Sequence, residues 1–121
     1  MQIVSVIDRA ARQWIRVSLS GEIETATSTA ILRSGLGALL RSRPKGISVN
    51  LGGVDSFGDS GLQELRRAVL QAADDGIWFE IVNAPLPVHR RLSMDPVLAT
   101  VLEAYAWRRP GERAQLASVR G

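Results

Sequence analysis

Two β-branched runs, IVSVI (3–7) and WIRVSLS (14–20), flank the polar stretch DRAARQ, and this pattern predicts two neighbouring strands joined by a turn. The period then changes. In GEIETATSTAILRSGLGALLRSRPKG the residues Leu32, Leu36, Leu39 and Leu40 recur at helical spacing. Thr25 is placed to cap that helix, and Pro44 and Gly46 stop it. Gly35 and Gly37 argue against the helix, each costing an interior position about 1 kcal/mol relative to Ala. ISVNL (47–51) is a short, nearly continuous apolar run, the pattern of a strand covered on both faces. From Leu62 the positions Leu65, Val69 and Ala72 form one helical face that runs to the glycine stop at DDG (74–76). IWFEIV (77–82) predicts a fourth strand. Pro85 and Pro87 open a short helix with Val88 and Leu92 inward, and Pro96 breaks it before VLATVLEAYAW begins another. The predicted order is β-β-α-β-α-β-α-α.

Between the third strand and its helix lies GDSG (58–61), a quartet that elsewhere surrounds a serine nucleophile. Here Ser60-Gly61-Leu62-Gln63 reads as a capping box, with Asp59 able to do similar work beside the positive end of the helix dipole. A nucleophilic serine needs a base and an orienting carboxylate, but the single histidine, His89, sits in VHRRL among arginines. Leu62 also occupies the position where a nucleophile elbow requires glycine. Gly52-Gly53 is followed by no lysine at phosphate-loop spacing. No catalytic residue is assigned, and the chain reads as a non-enzyme.

Composition narrows the classes further. The 121 residues fit one domain, and no apolar run approaches the roughly 20 residues that span a bilayer. With no secretory leader visible, the expected location is the cytoplasm. The absence of cysteine, with one histidine, excludes thiolate metal centres and disulfides, and no metal or cofactor is expected. Residues 1–107 carry balanced charge, so the formal +3 lies wholly in 108–121, where Arg108, Arg109, Arg113 and Arg120 face only Glu112. The predicted organisation is a domain over 1–107 and a basic, flexible tail over 108–121. The body has no basic stripe interleaved with aromatics, so no direct nucleic-acid contact is expected.

Four stretches, LSGEIETAT (19–27), ISVNLGGV (47–54), DSGL (59–62) and NAPLPVHRRL (83–92), stand in register along the chain. Together they resemble a STAS domain of the anti-sigma factor antagonist type, over roughly residues 3–104. The resemblance implies an α/β fold with a mixed four-stranded sheet and helices packed mainly on one face. It also implies a monomer or weak dimer that binds an anti-sigma factor acting as a serine kinase. Family members are phosphorylated on a serine at the start of the second helix, and the added charge releases the partner.

The family pattern there is Asp-Ser-Ser/Thr-Gly-Leu. A gap-free count from Gly61-Leu62 puts Ser60 in the Ser/Thr slot, Asp59 in the phosphoserine slot and Gly58 in the Asp slot. In an alternative register, Asp59-Ser60 is the family's Asp-Ser with one residue lost before the glycine. The resemblance implies a partner surface of Glu22, Glu24, Gly58, Asp59, Ser60, Gly61 and Leu62, with Glu24 standing where relatives carry aspartate. Asn50 replaces an acid common in the third strand, which leaves Glu24 and Asp59 as the principal negative charges expected there. A module of the same family can instead serve, unphosphorylated, as a subunit of another complex such as a lipid-transport ABC system.

Overall fold

The structure is a computed structural model and describes residues 2–8 and 14–106, with side chains described over 14–102. The tail over 108–121 and Trp107 lie outside the described residues. The elements are β1 (Gln2–Asp8), β2 (Trp14–Ile23), α1 (Ala26–Arg41), β3 (Gly46–Phe57), α2 (Asp59–Asp74), β4 (Trp78–Val82), α3 (Leu86–Ser93) and α4 (Pro96–Ala106). In the sheet the strands lie in the order β1-β2-β3-β4. β2, β3 and β4 run parallel, and β1 is antiparallel on the outside of β2. Each parallel step needs a crossover helix, supplied by α1 and α2.

Alternation along the parallel strands decides where the core lies. Ile15, Ile47 and Phe79 are in register and buried, as are Val17, Val49 and Ile81 one step on. The helices bring Leu32, Leu36, Leu65, Val69, Leu92 and Leu98 into the same cluster. The residues between point the other way: Ser48 and Asn50 are half-buried, while Arg16 and Ser18 beside them are exposed. The expectation that ISVNL is covered on both faces is therefore corrected. Its Ser and Asn are the polar half of a one-sided strand.

Strands β2 and β3 also run longer than their apolar runs predict. Glycines 21, 52 and 53 lie past the predicted strand ends at 20 and 51, yet pairing continues through them to Ile23 and Phe57 with register shifts between Ser18/Ser20 and Gly21/Glu22. Gly21 has φ of 87°, a conformation that favours glycine. A Cβ at Gly53 would lie 3.0 Å from that of Ser20, so the strands stay close where the register slips.

The first helix starts as its sequence predicts. Thr25 accepts from the Ser28 amide at 3.0 Å, and the Ser28 hydroxyl accepts from the Thr25 amide at 3.1 Å, closing a capping box. The helix runs through Gly35 and Gly37, because Leu32, Leu36 and Leu40 fix one side of it in the core.

Candidate functional site

The end of β3 delivers the chain to α2 through Gly58. Its amide donates to the Ile23 carbonyl at 2.8 Å, tying the ends of β2 and β3 together. A Cβ on Gly58 would come within 3.2 Å of the Glu24 Cα. Gly58 is the N-cap and makes no side-chain cap bond, so the helix begins at Asp59. This corrects the capping box read into Ser60-Gly61-Leu62-Gln63. Ser60 already lies inside the first turn, and its hydroxyl and the Gln63 side chain make no hydrogen bond among the described residues. The cap position is set by the strand pairing that pins Gly58, which a local Ser-x-x-Gln pattern cannot register.

Gly61 is buried against the strand ends. A Cβ there would stand 2.7 Å from the Phe57 ring and 2.9 Å from the Ile23 Cγ2. Leu62 is half-buried against the core. Glu22 and Glu24 flank Ile23 at the end of β2, and Glu22 pairs in register with Ser56. Glu22, Glu24, Asp59 and Ser60 are exposed and Gly58 is half-buried. The residues implied by the resemblance thus meet at one end of the domain, with Gly61 and Leu62 as the packing beneath. Asp59 is almost wholly exposed at 97 % and accepts a hydrogen bond from Arg91 Nη2 on α3, a surface ion pair. Asp55 is a further exposed acid on the same part of β3. His89 on α3 has a buried Nε2 without a partner, and it makes no bond to Ser60.

Two buried acids, Glu64 within α2 and Asp95 just before α4, lie outside the residues read from the sequence. Asp95 accepts from Arg66 Nε at 2.6 Å and from the amides of Val97 and Leu98 at 2.9 and 3.2 Å. It caps α4, whose first residue is Pro96, so that proline begins a helix as well as ending one. An Asp immediately before a Pro was the available signal. Burial pushes the Asp95 carboxyl up, but Arg66 and the two amides outweigh it and hold it below its usual 3.8. Glu64 lies on the apolar stripe of α2 and accepts from Arg33 Nη2 at 2.9 Å. That bond outweighs burial and lowers the Glu64 carboxyl from its usual 4.5. A lone charge inside an apolar stripe was the signal in this case.

Among the described residues no cluster of His, Cys, Asp and Glu could hold a metal ion, and no helix is long and apolar enough to cross a membrane.

Comparisons with known proteins fit this geometry. The family model described as "Mlab, STAS domain" matches residues 7–109. No curated protein matches the chain. An anti-sigma factor antagonist from Mycobacterium paratuberculosis is similar at 24% identity and a TM-score of 0.65, over 99% of this chain and 96% of that one. The anti-sigma factor antagonist SpoIIAA in its unphosphorylated form is similar at 16% identity and a TM-score of 0.61, over 99% of both chains. The structure of Mglu matches 57% of this chain at 23% identity and a TM-score of 0.51, and the match spans only 17% of Mglu. These likenesses concern the fold. The family match extends from β1 to beyond α4, and the chain belongs to the STAS domain family.

Proposed function

We propose that this chain is a regulatory protein-binding module of the anti-sigma factor antagonist kind, acting in the cytoplasm without catalysis of its own. Its partner is an anti-sigma factor with serine kinase activity, docked on the end of the domain formed by Glu22, Glu24, Gly58, Asp59 and Ser60. The observation that carries this reading is the exposed start of α2, where Asp59 and Ser60 face solvent beside the two glutamates. On the gap-free register Asp59 occupies the phosphoserine slot. A carboxylate there holds one negative charge, against about −1.5 to −2 and three acceptor oxygens for a phosphoserine. Phosphoregulation at that slot is therefore absent or atypical.

A second reading is favoured by the same residue. A carboxylate offers a serine kinase no hydroxyl to phosphorylate, so the module can serve as an unphosphorylated STAS subunit of another assembly, such as a lipid-transport ABC system. Affinity purification of the tagged chain from its own cells, with mass spectrometry of what is retained, separates the two. An ATP-binding serine kinase supports the first reading and an ABC ATPase the second. Recovery of neither at stoichiometric levels overturns both.

A further inference from the structure

Away from the start of α2, a groove of about 590 Å³ runs between α1 and the later turns of α2, and it is rimmed by Arg33, Arg41, Arg43 and Arg67. Its organising group is Glu64, only 5 % exposed, which holds Arg33 Nη2 at 2.9 Å and has Arg67 Nη1 at 4.0 Å from the same oxygen. Both arginines remain largely in solvent, at 60% and 64% exposure, so the buried carboxylate aims them while most of their N–H donors stay free. Arg41 and Arg43 are exposed, and neither side chain makes a hydrogen bond or ion pair among the described residues. A Cβ at Gly37 would meet Arg41 Nη1 at 3.2 Å, so the missing side chain leaves room for that guanidinium along the groove. The one acid at the far end, Asp75, is held by Gln71.

From these residues we infer that the α1–α2 groove is a second protein-docking surface, built to take an acidic segment of a partner in extended form. Length decides the class of ligand. Arg33 and Arg41 are eight positions apart on one helix, about 12 Å along its axis. Same-side residues of an extended peptide repeat every ~6.6 Å, so three alternate carboxylates span about 13 Å and match the cationic row. A single phosphate reaches one end only. Charged residues retain hydration at such a surface, so the row adds to encounter rate and partner choice as well as to affinity. Arg67 lies eight positions beyond Asp59, so this groove can be occupied while the start of α2 is engaged.

The full chain is titrated with a fluorescein-labelled hexaglutamate peptide and followed by fluorescence anisotropy. At 50 mM salt saturable binding is expected, weakening severalfold at 200 mM. The pair Arg41→Ala/Arg43→Ala lowers affinity at least tenfold. Removing equal charge from the tail with Arg108→Ala/Arg109→Ala changes it less than twofold. Glu64→Gln, which releases Arg33 and Arg67, weakens binding severalfold while the variant keeps its native circular dichroism. Equal losses for the two arginine pairs, no saturable binding at 50 mM salt, or tighter binding of inorganic pyrophosphate than of the peptide each overturn the inference. None of these results depends on the partner proposed for the start of α2.

Discussion

A methyl group added at Gly61 has no space to enter, because both Phe57 and Ile23 lie within 3 Å of where it would stand. Gly61→Ala is therefore expected to cost about 1–3 kcal/mol through overpacking beneath the start of α2, measured by urea unfolding. Ser60→Ala behaves differently. With no cap bond to lose, it should shift stability by less than about 0.5 kcal/mol. A drop near the ~1 kcal/mol typical of a lost N-cap would show that the hydroxyl does cap the helix in solution. The function proposed for Asp59 has its own test. Incubated with the cognate kinase and ATP, the wild-type chain should take up little phosphate at this turn, and Asp59→Ser should become a substrate that binds more tightly when unmodified. Efficient modification of Ser60 in the wild type would establish the shifted register instead. At this scale the sequence was legible where the chemistry is local. Thr25 and Ser28 close their box within four residues, whereas the Gly58 cap depends on a carbonyl 35 positions away.

Helices in this domain are joined by buried acids as well as by leucines. Asp95 links α4 to Arg66 on α2, and Glu64 links α2 to Arg33 on α1. Both carboxyls are held below their usual 3.8 and 4.5 in the folded chain, so both bind protons more readily when it unfolds. Their stabilisation is then complete at neutral pH, begins to fall as pH drops through those unfolded values, and is gone below the lower folded ones. Thermal unfolding between pH 6 and pH 2.5 should show that decline. Asp95→Asn, which keeps a cap acceptor but loses the charge that Arg66 bonds to, should remove about 1–3 kcal/mol at neutral pH and flatten the acid limb. A limb as steep as the wild type's would assign the acid sensitivity to other groups. Element positions were largely readable from period, and element ends were not. The glycines of SGEI and GGVDSF carry the signature of turns, and only the neighbouring strand makes them bulged extensions of β2 and β3. The one-sidedness of β3 is legible in the alternation of Ser48 and Asn50 with Ile47, Val49 and Leu51.

For the molecule as a whole, charge divides near the end of the chain. Residues 1–107 are balanced, and the net +3 belongs to 108–121. Deleting 108–121 is expected to leave the melting temperature within a few degrees of the full chain and to lower the isoelectric point. A cooperative loss of structure on truncation would show that the tail packs on the core. The candidate site was legible only in part for a related reason. The resemblance placed its residues in sequence, but Arg91, which meets Asp59 from 32 positions away, is visible only once α3 is folded against α2.

That meeting gives α3 a measurable sensitivity. The helix has eight residues, follows Pro85 as an N-cap that makes no side-chain cap bond, and is anchored by Val88, Leu92 and the Arg91 link. So short a helix is not stable alone and opens by local unfolding, well below the free energy of the whole fold. Its amide hydrogens should therefore exchange with deuterium faster than those of α2. Anything that competes for Arg91, whether a new charge at the start of α2 or a partner seated there, becomes readable as a change in α3 exchange rate, on a helix that carries neither Asp59 nor Ser60.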